Sequence, residues 1–158
     1  MKHKKVWAAV LAAVLCFAGI LAGCKNRDEI LSDVNALDLA TSPVSSFLSF
    51  VDDRERMEEV LDFFNGVEFT DSEMNGQELA EYILEREDYD LIKALCVTVY
   101  PDGERSFLVH IYPNGAVSTF VGDGLKLADA GAVDYEGLKA VVERIEREER
   151  DKLKQGVE

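Results

Sequence analysis

The stretch that decides the fold is a near-repeat with a spacing of twelve residues. Its two units are Val97–Gly103, with the sequence VTVYPDG, and Val109–Gly115, with the sequence VHIYPNG. Each unit is rich in β-branched and aromatic residues and ends in Pro-Asx-Gly, where Pro restricts φ and Gly accepts a positive φ. The repeat therefore predicts two strands, each entering a tight turn.

Pairing across the two turns predicts one sheet register. A three-residue loop that closes with a bulge places Tyr100 opposite Glu104 and Tyr112 opposite Ala116. Paired residue numbers then sum to 204 in the first hairpin and to 228 in the second. The apolar residues that share one face in this register are Leu95, Val97, Phe107, Val109, Ile111, Val117 and Val121. Because both turns agree on one core face, we expect a three-stranded antiparallel meander.

The opposite face of this meander mixes small polar and large apolar side chains. Its members are Cys96, Thr98, Tyr100, Ser106, Leu108, His110, Tyr112, Ser118 and Phe120. This composition is more apolar than a fully solvated sheet face requires. Either another element covers the face or it is a contact surface. The candidate contact residues are Tyr100, His110, Tyr112 and Phe120.

Further strands are expected on both sides of the meander. Residues 30–51 favour two strands broken near Thr41–Pro43, the second being Ser46–Val51. The spacing of Ile30, Val34 and Leu37 leaves a helix open as the alternative for the first part. Leu125 and Leu127, which follow a Gly-Asp-Gly turn, indicate a fourth strand of the meander.

Two helices are predicted between residues 52 and 85. Asp52 and Glu55 have the spacing of a capping box, and the helix ends at Asn65-Gly66. Its apolar stripe consists of Met57, Val60, Leu61 and Phe64. The second helix begins at Asn75. Its third position is Glu78, and its buried face consists of Leu79, Tyr82 and Ile83.

A third helix is predicted to start at Asp134, which we expect to be its N-cap. Val133 and Leu138 have the spacing of a hydrophobic staple. The apolar face continues through Val141, Val142 and Ile145, and residues 146–158 follow as a charged, solvated helical extension. The sequence thus predicts a single α+β domain over residues 30–145. We expect an antiparallel meander of three to four or more strands packed against two to three helices.

The N-terminal segment has the anatomy of an export signal. A basic stretch, Met1–Lys5, precedes an apolar run, Val6–Gly23, that ends in small residues. The sequence Leu21-Ala22-Gly23-Cys24 resembles the lipobox of bacterial lipoproteins. This resemblance implies a signal peptide over residues 1–23, cleavage between Gly23 and Cys24, and a diacylglyceryl group on the sulfur of Cys24. The alternatives are an uncleaved membrane span and ordinary secretion with an incidental cysteine.

The lipobox resemblance implies a protein anchored on the extracytoplasmic face of the cell membrane. Two acyl chains anchor stably, whereas one gives only marginal binding. Residues 24–29 are then a short polar tether. Removing residues 1–23 takes away three lysines and no acidic residue, so the formal charge changes from −14 to −17. Such acidity argues against nucleic acid as a partner and leaves the membrane and an envelope protein or small ligand.

Few residues of the mature chain offer catalytic chemistry. Cys96 is its sole thiol apart from the lipid site, and its apolar surroundings favour a buried structural role. His110 is its only histidine, so a histidine-based triad would depend on this residue alone and a multi-histidine metal site is impossible. We predict no catalytic residue, metal site or cofactor. The expected function is a non-enzymatic binding or accessory module at the cell envelope.

The alternatives to a non-enzymatic binding module depend on a cluster of carboxylates. Glu85, Glu87, Asp88 and Asp90 lie within six residues. Paired carboxylates can hydrolyse glycosides, and calcium can bridge them. The alternatives are therefore an envelope hydrolase or a protein that binds calcium or another cationic ligand.

Overall fold

A computed structural model describes residues 24–26, 31, 33–103, 105–122 and 124–155. The strands are β1 (Cys24–Asn26), β2 (Val34–Ala40), β3 (Ser49–Val51), β4 (Glu68–Ser72), β5 (Leu95–Pro101), β6 (Phe107–Ile111), β7 (Val117–Val121) and β8 (Gly124–Ala128). The α-helices are α1 (Arg54–Leu61), α2 (Gly76–Leu84) and α3 (Tyr135–Gln155), with 3-10 turns at Asp62–Phe64 and Leu91–Lys93. The predicted signal peptide 1–23, Ile30, Glu104 and residues 156–158 lie outside the described residues.

The strands form one antiparallel sheet in the order β1-β4-β8-β7-β6-β5-β2-β3. The predicted meander is its centre, β5 to β8, and the fourth strand expected at Leu125 and Leu127 is β8. The two strands predicted between residues 30 and 51 are β2 and β3, although β3 begins at Ser49 rather than Ser46. The predicted α+β class, with an antiparallel meander packed against helices, is confirmed.

The register of the first hairpin was wrong by two residues. Val97 pairs with Val109 and Leu95 pairs with Ile111, so paired numbers sum to 206 rather than 204. The reason is the length of the connection, since β5 continues to Pro101 and β6 starts only at Phe107. A shift of two residues leaves every side chain on its predicted face, because the side-chain period of a strand is two.

The register of the second hairpin is confirmed. Ile111 pairs with Val117, which gives the predicted sum of 228. The turn closes with a hydrogen bond from the Tyr112 N–H to the Ala116 carbonyl at 2.9 Å. Gly115 has a φ of +79° at the left-handed position of this turn.

The first face of the sheet carries the larger core, which α1 and α3 cover. Its fully buried members include Leu37, Leu39, Leu95, Val97, Val99, Val109, Ile111 and Val117 from the strands and Val60, Phe64, Leu138, Val142 and Ile145 from the helices. Ion pairs join the two helices on the outside. Arg56 donates to Glu148 at 2.8 Å and to Glu149 at 2.7 Å, and Arg144 pairs with Glu59.

Helix α1 begins one residue later than the sequence predicted. The N-cap is Asp53, whose carboxylate accepts the Arg56 N–H at 3.0 Å, and not Asp52. The spacing of Asp52 and Glu55 was a misleading signal, because two adjacent aspartates compete for one cap. The predicted stripe is nevertheless the buried one, and the helical segment ends at Asn65-Gly66 as expected.

Helix α3 begins at the predicted N-cap, and its buried face extends further along the helix than the sequence predicted. The Asp134 carboxylate accepts the Gly137 N–H at 3.1 Å, and Val133 and Leu138 are both buried. The helix is continuous to Gln155, and Glu146 in the expected solvated extension is buried. Its carboxylate accepts the backbone N–H of Thr41 at 3.3 Å, which ties the helix to the end of β2.

Two strands had no signal in the sequence analysis. Strand β4 alternates only weakly, because Phe69 is its one large apolar residue. Residues 24–26 of the expected tether form strand β1, in which Cys24 pairs with Thr70 at the edge of the sheet. Among the described residues, no helix has the length and apolar character needed to cross a bilayer.

Candidate functional site: an apolar groove on the second sheet face

The second face of the sheet is divided into a covered half and an open half. Helix α2 covers the half around β7 and β8, where Leu79 and Ile83 pack with Tyr112, Ala116 and Leu125. The open half lies over β2, β3, β5 and β6, where Phe50 and Leu108 are exposed although the smaller side chains of Ala36, Ala40 and Cys96 are buried. The two readings of this face in the sequence analysis, cover and exposed surface, therefore each describe one half of it.

A groove runs along the boundary between the two halves. Its volume is about 230 Å³. It is lined by Gly76, Leu79, Ala80, Ile83, Leu91, Leu108, His110, Tyr112 and Phe120. This volume lies below the roughly 300 Å³ at which sites for drug-sized ligands begin. The groove therefore suits a single apolar side chain or a similarly small apolar group.

The start of α2 sets one wall of the groove. The predicted start at Asn75 is confirmed, and the contacts there are reciprocal: the Asn75 side chain accepts the N–H of Glu78 at 3.0 Å, and the Glu78 carboxylate accepts the Asn75 N–H at 2.8 Å. This capping box fixes where the helix starts. Gly76 and Ala80 then face the groove one turn apart. The groove stays open because Gly76 has no side chain and Ala80 has only a methyl group.

The opposite wall is aromatic. Tyr112 is buried, and its hydroxyl lies 2.8 Å from the Ser118 hydroxyl. The Tyr112 ring also packs against Tyr89, with ring centroids 5.0 Å apart. Tyr112 therefore supports the groove as a fixed wall, whereas Phe120, with 41% of its surface exposed, is accessible at the rim.

Two of the described residues that line this groove, His110 and Tyr112, are titratable, and His110 is the half-buried one. Its imidazole makes no hydrogen bond to any residue in the described part of the chain. Burial lowers the pKa of His110 below its ordinary value, so the ring is neutral at pH 7. A neutral imidazole can both donate and accept one hydrogen bond, which gives the apolar groove one polar contact to offer.

The four predicted contact residues do not form one cluster. His110, Tyr112 and Phe120 meet at the groove, whereas Tyr100 lies in the open half. The Tyr100 hydroxyl donates to Asp38 at 2.6 Å, and its ring meets Phe50 edge-on at 6.4 Å. The two-residue shift of the first hairpin does not cause this separation, because it places His110 opposite Cys96 rather than Ala94 and so brings it closer to Tyr100 along β5.

The same shift brings the thiol beside the histidine. The neighbours of His110 were predicted as Ala94 and Ser118, but the observed neighbours are Cys96 and Ser118. Burial raises the pKa of the Cys96 thiol to about 11, and its sulfur contacts the Ala94 carbonyl rather than the imidazole. An activated thiolate requires a lowered pKa, so this pair lacks the property that cysteine nucleophiles need.

The clustered carboxylates after α2 are engaged locally or fully exposed. Asp88 binds Asn114 and Arg86, and the hydrogen bond from Asn114 is the main cause of its lowered pKa. Asp90 accepts the N–H groups of the 3-10 turn and pairs with Lys93 at 2.8 Å. Within the described ranges, no three acidic, histidine or cysteine side chains converge as a metal site requires.

Larger depressions exist, but their linings mix charged, polar and apolar residues. One of about 400 Å³ lies between Leu31, Asp33, Met57 and Arg54, and Arg54 pairs with Glu58 at 2.7 Å. The smaller groove beside α2 is the more informative site, because apolar lining with few polar groups is typical of binding pockets.

Sequence reasoning missed the residues that α2 and Leu91 contribute to the groove. Leu79 and Ile83 were predicted to be buried, and their amphipathic spacing was visible. Which sheet face they would cover depended on the position of α2 between β4 and β5, and no local pattern specifies this.

Comparisons with known proteins add no assignment. No protein-family model matches the chain, and neither a curated protein nor a solved structure matches it.

Proposed function

We propose that this protein is a non-enzymatic binding module, anchored by lipid on Cys24 to the extracytoplasmic face of the cell membrane. Its contact surface is the groove beside α2 together with the open half of the second sheet face. The partner is an envelope protein that inserts an apolar side chain into the groove. The lipobox resemblance supports the location, and the groove supports the binding role.

The single observation that carries the binding role is the uneven cover of the sheet. The first face is closed by two helices, whereas the second face exposes Phe50, Leu108 and Phe120 beside an apolar groove. Leu108 and Phe120, which lie on neighbouring strands beside the groove, form exposed apolar surface, which is unfavourable in water and marks interaction sites.

The chemistry of the groove favours binding over catalysis. Its lining is apolar apart from His110 and the Tyr112 hydroxyl, and the Tyr112 hydroxyl is engaged by Ser118. The neighbouring Cys96 is held as a thiol by its raised pKa. An acid–base reaction needs two positioned groups with matched pKa values, and this lining offers one neutral imidazole.

The anchor can hold this surface close to the membrane. Strand β1 contains Cys24 and is four strands away from β6, which carries His110. At about 4.8 Å per strand, the backbone distance across the sheet is about 19 Å. A partner bound in the groove would therefore lie within reach of the bilayer surface.

Mass spectrometry of membrane-extracted protein tests the anchor. We expect an N-terminal peptide that begins at Cys24 and carries a diacylglyceryl mass, and we expect it to be absent from the Cys24→Ala variant. An intact Met1 end without lipid would refute the anchor and assign residues 6–23 to a membrane span.

Photo-crosslinking in intact cells tests the contact surface. A benzophenone amino acid replaces Phe120 in one variant and the exposed Leu153 of α3 in a matched control. We expect one envelope protein, and one contact peptide within it, to be linked from position 120 but not from position 153. The link should weaken in Ala80→Trp, whose side chain fills the groove. Equal crosslinking from both positions would refute the proposed surface.

A further inference from the structure

We propose that the segment bound by this contact surface is a cationic amphipathic helix, which lies on the open half of the sheet beside α2. The inference rests on the proposed function, because it names the chemistry of the partner at that same surface. It depends on the width of the open half, on the side chains exposed there and on the charge around them.

A strip of second-face side chains crosses the open half from β3 to β7, with Phe50 at one end, Leu108 and Phe120 at the other, and the polar Asp38 and Thr98 between them. Cross-strand pairs place Phe50 beside Asp38, Asp38 beside Thr98, and Thr98 beside Leu108. Phe50 is 57% exposed, Leu108 is 39% exposed, and Phe120 on β7 continues the strip. Four strand spacings separate β3 from β7, which makes the strip about 19 Å long. A helix of about 13 residues has this length.

The first face shows how this sheet is covered when its cover is complete. There, α1 and α3 lie side by side over the strands and close the core. On the second face, α2 and the 3-10 turn Leu91–Lys93 are the only helical elements that the described residues place near the groove. One further helix beside α2 would give the second face the same two-helix cover.

The negative charge of α2 and of the residues that flank it is only partly compensated. Residues 73–90 contain seven acidic residues and a single basic one, Arg86. Arg86 pairs with Asp88, and Lys93 after this segment pairs with Asp90. Glu81 on the exposed side of α2 has no cationic partner among the residues described. In contrast, Glu59, Glu148 and Glu149 on the first-face helices are paired with arginines.

A carboxylate also lies within the strip itself. Asp38 is half-buried between Phe50 and Thr98 and accepts a hydrogen bond from Tyr100, and it has no cationic partner among the described residues. A lysine or arginine that flanks the apolar face of a bound helix can pair with Asp38, and the negative charge of Glu81 on the neighbouring α2 also favours a cationic helix. A second copy of this chain would instead place like charges together, which costs binding energy.

A synthetic helix and a tryptophan reporter test the inference. Trp7 is the only tryptophan and is changed to Phe in the full chain, so that Phe120→Trp becomes a single reporter in the groove. The probe is a peptide of about 13 residues, made only of leucine and lysine, with all leucines on one helix face. A peptide with glutamate in place of lysine is the charge control, and Leu153→Trp on α3 is the position control.

We expect a saturable blue shift of the Phe120→Trp emission with the leucine–lysine peptide and none at Leu153→Trp. Leu108→Ser should weaken the affinity about tenfold, because it removes apolar contact area. Asp38→Asn combined with Glu81→Gln should also weaken it about tenfold and reduce its dependence on salt. The matched pair Glu55→Gln and Glu136→Gln, on the first-face helices, should leave the affinity unchanged.

Three outcomes would overturn the inference. The first is equal binding of the glutamate peptide, and the second is an equal loss in both pairs of charge variants. The third is a dimer in sedimentation that Leu108→Ser dissociates, which would assign the surface to a second copy. If the lysine peptide does not bind while crosslinking from position 120 still identifies one contact peptide, the inference fails and the proposed function stands. If that crosslink is also absent, both fail.

Discussion

Helices cover the two faces of the sheet to different extents. The first face buries its apolar side chains under α1 and α3 and adds paired charges on the outside. The second face buries only the part beneath α2 and leaves Phe50, Leu108 and Phe120 in contact with water. The difference in buried area indicates that stability depends mainly on the first face.

The largest expected effect concerns leucine truncation on the two faces. Leu138→Ala removes a fully buried side chain from the first-face core and should lower the free energy of unfolding by about 4 kcal/mol. Leu108→Ala on the second face, where the side chain is 39% exposed, should cost less than about 1 kcal/mol. Denaturant unfolding of both variants checks this. Equal losses would show that the second face is as much a core as the first.

The next effect compares the two Pro-Asx-Gly turns. Gly103 and Gly115 both have positive φ, but only Gly115 packs against other backbone, at Gly131 and the Val133 carbonyl. Gly115→Ala should therefore cost about 3 kcal/mol, whereas Gly103→Ala should cost about 1 to 2 kcal/mol from backbone strain alone. The Val133 N–H also donates to the Gly115 carbonyl at 3.0 Å, so the β6–β7 turn connects the sheet to α3. Thermal unfolding that ranks the two variants in the opposite order would contradict this connection.

Thiol reactivity probes how tightly the second face is closed around β5. The pKa of Cys96 is raised to about 11 from 9.0, so its thiolate population near pH 8 is roughly a hundredfold smaller than that of an unperturbed thiol. Alkylation in the folded protein should be slower by at least that factor than in denaturant. Rapid labelling of native protein that carries both Cys16→Ala and Cys24→Ala, in which Cys96 is the remaining thiol, would show that this part of the face opens.

A smaller effect tests the charge network outside the first face. Arg56→Gln removes the contacts to Glu148 and Glu149 and should lower the free energy of unfolding by about 1 kcal/mol. High salt should reduce the difference, because it screens the pairs in the wild type. Arg54→Gln is the matched control, since its pair with Glu58 is far more exposed. Equal losses from both arginines would show that the contacts of Arg56 stabilise the first face no more than an exposed ion pair does.

The smallest effect concerns His110 and pH. Its pKa is lowered by burial in the folded state, so between that value and the ordinary value of 6.5 the unfolded chain binds more protons than the native one. Stability from this source is therefore complete above about pH 6.5 and decreases as the pH falls below it. We expect a shallower decrease in His110→Gln between about pH 7.5 and about pH 5, measured by chemical denaturation. Identical slopes would show that the imidazole is solvated in the folded protein.

Local patterns were sufficient where neighbouring residues decide the outcome. The alternation of apolar residues around the two turns predicted the core face of β5, β6 and β7, and an error of two residues in one register left it intact. The start of α2 at Asn75 and the stripe of α1 were also predicted, because caps and helix faces depend on residues within a turn of each other.

Long-range partners were not visible in the sequence. Strand β4 has little alternation of its own, and it is a strand because β8 and β1 supply its hydrogen bonds. The charged residues around Glu146 predicted a solvated helix. Glu146 is nevertheless buried, where it contacts Thr41, which is distant in the sequence. For the candidate site, the sequence identified His110, Tyr112 and Phe120 as members of one face, but not the groove that joins them.

The sequence by itself determined the strands of the meander, the sides of its faces and the limits of its helices, because each depends on the spacing of nearby residues. It also contains the lipobox resemblance on which the proposed anchor depends. The tertiary structure alone decided that two helices close the first face and that α2 closes half of the second. Helix placement depends on how distant segments share the sheet surface, and that competition is settled by total buried area rather than by any local pattern.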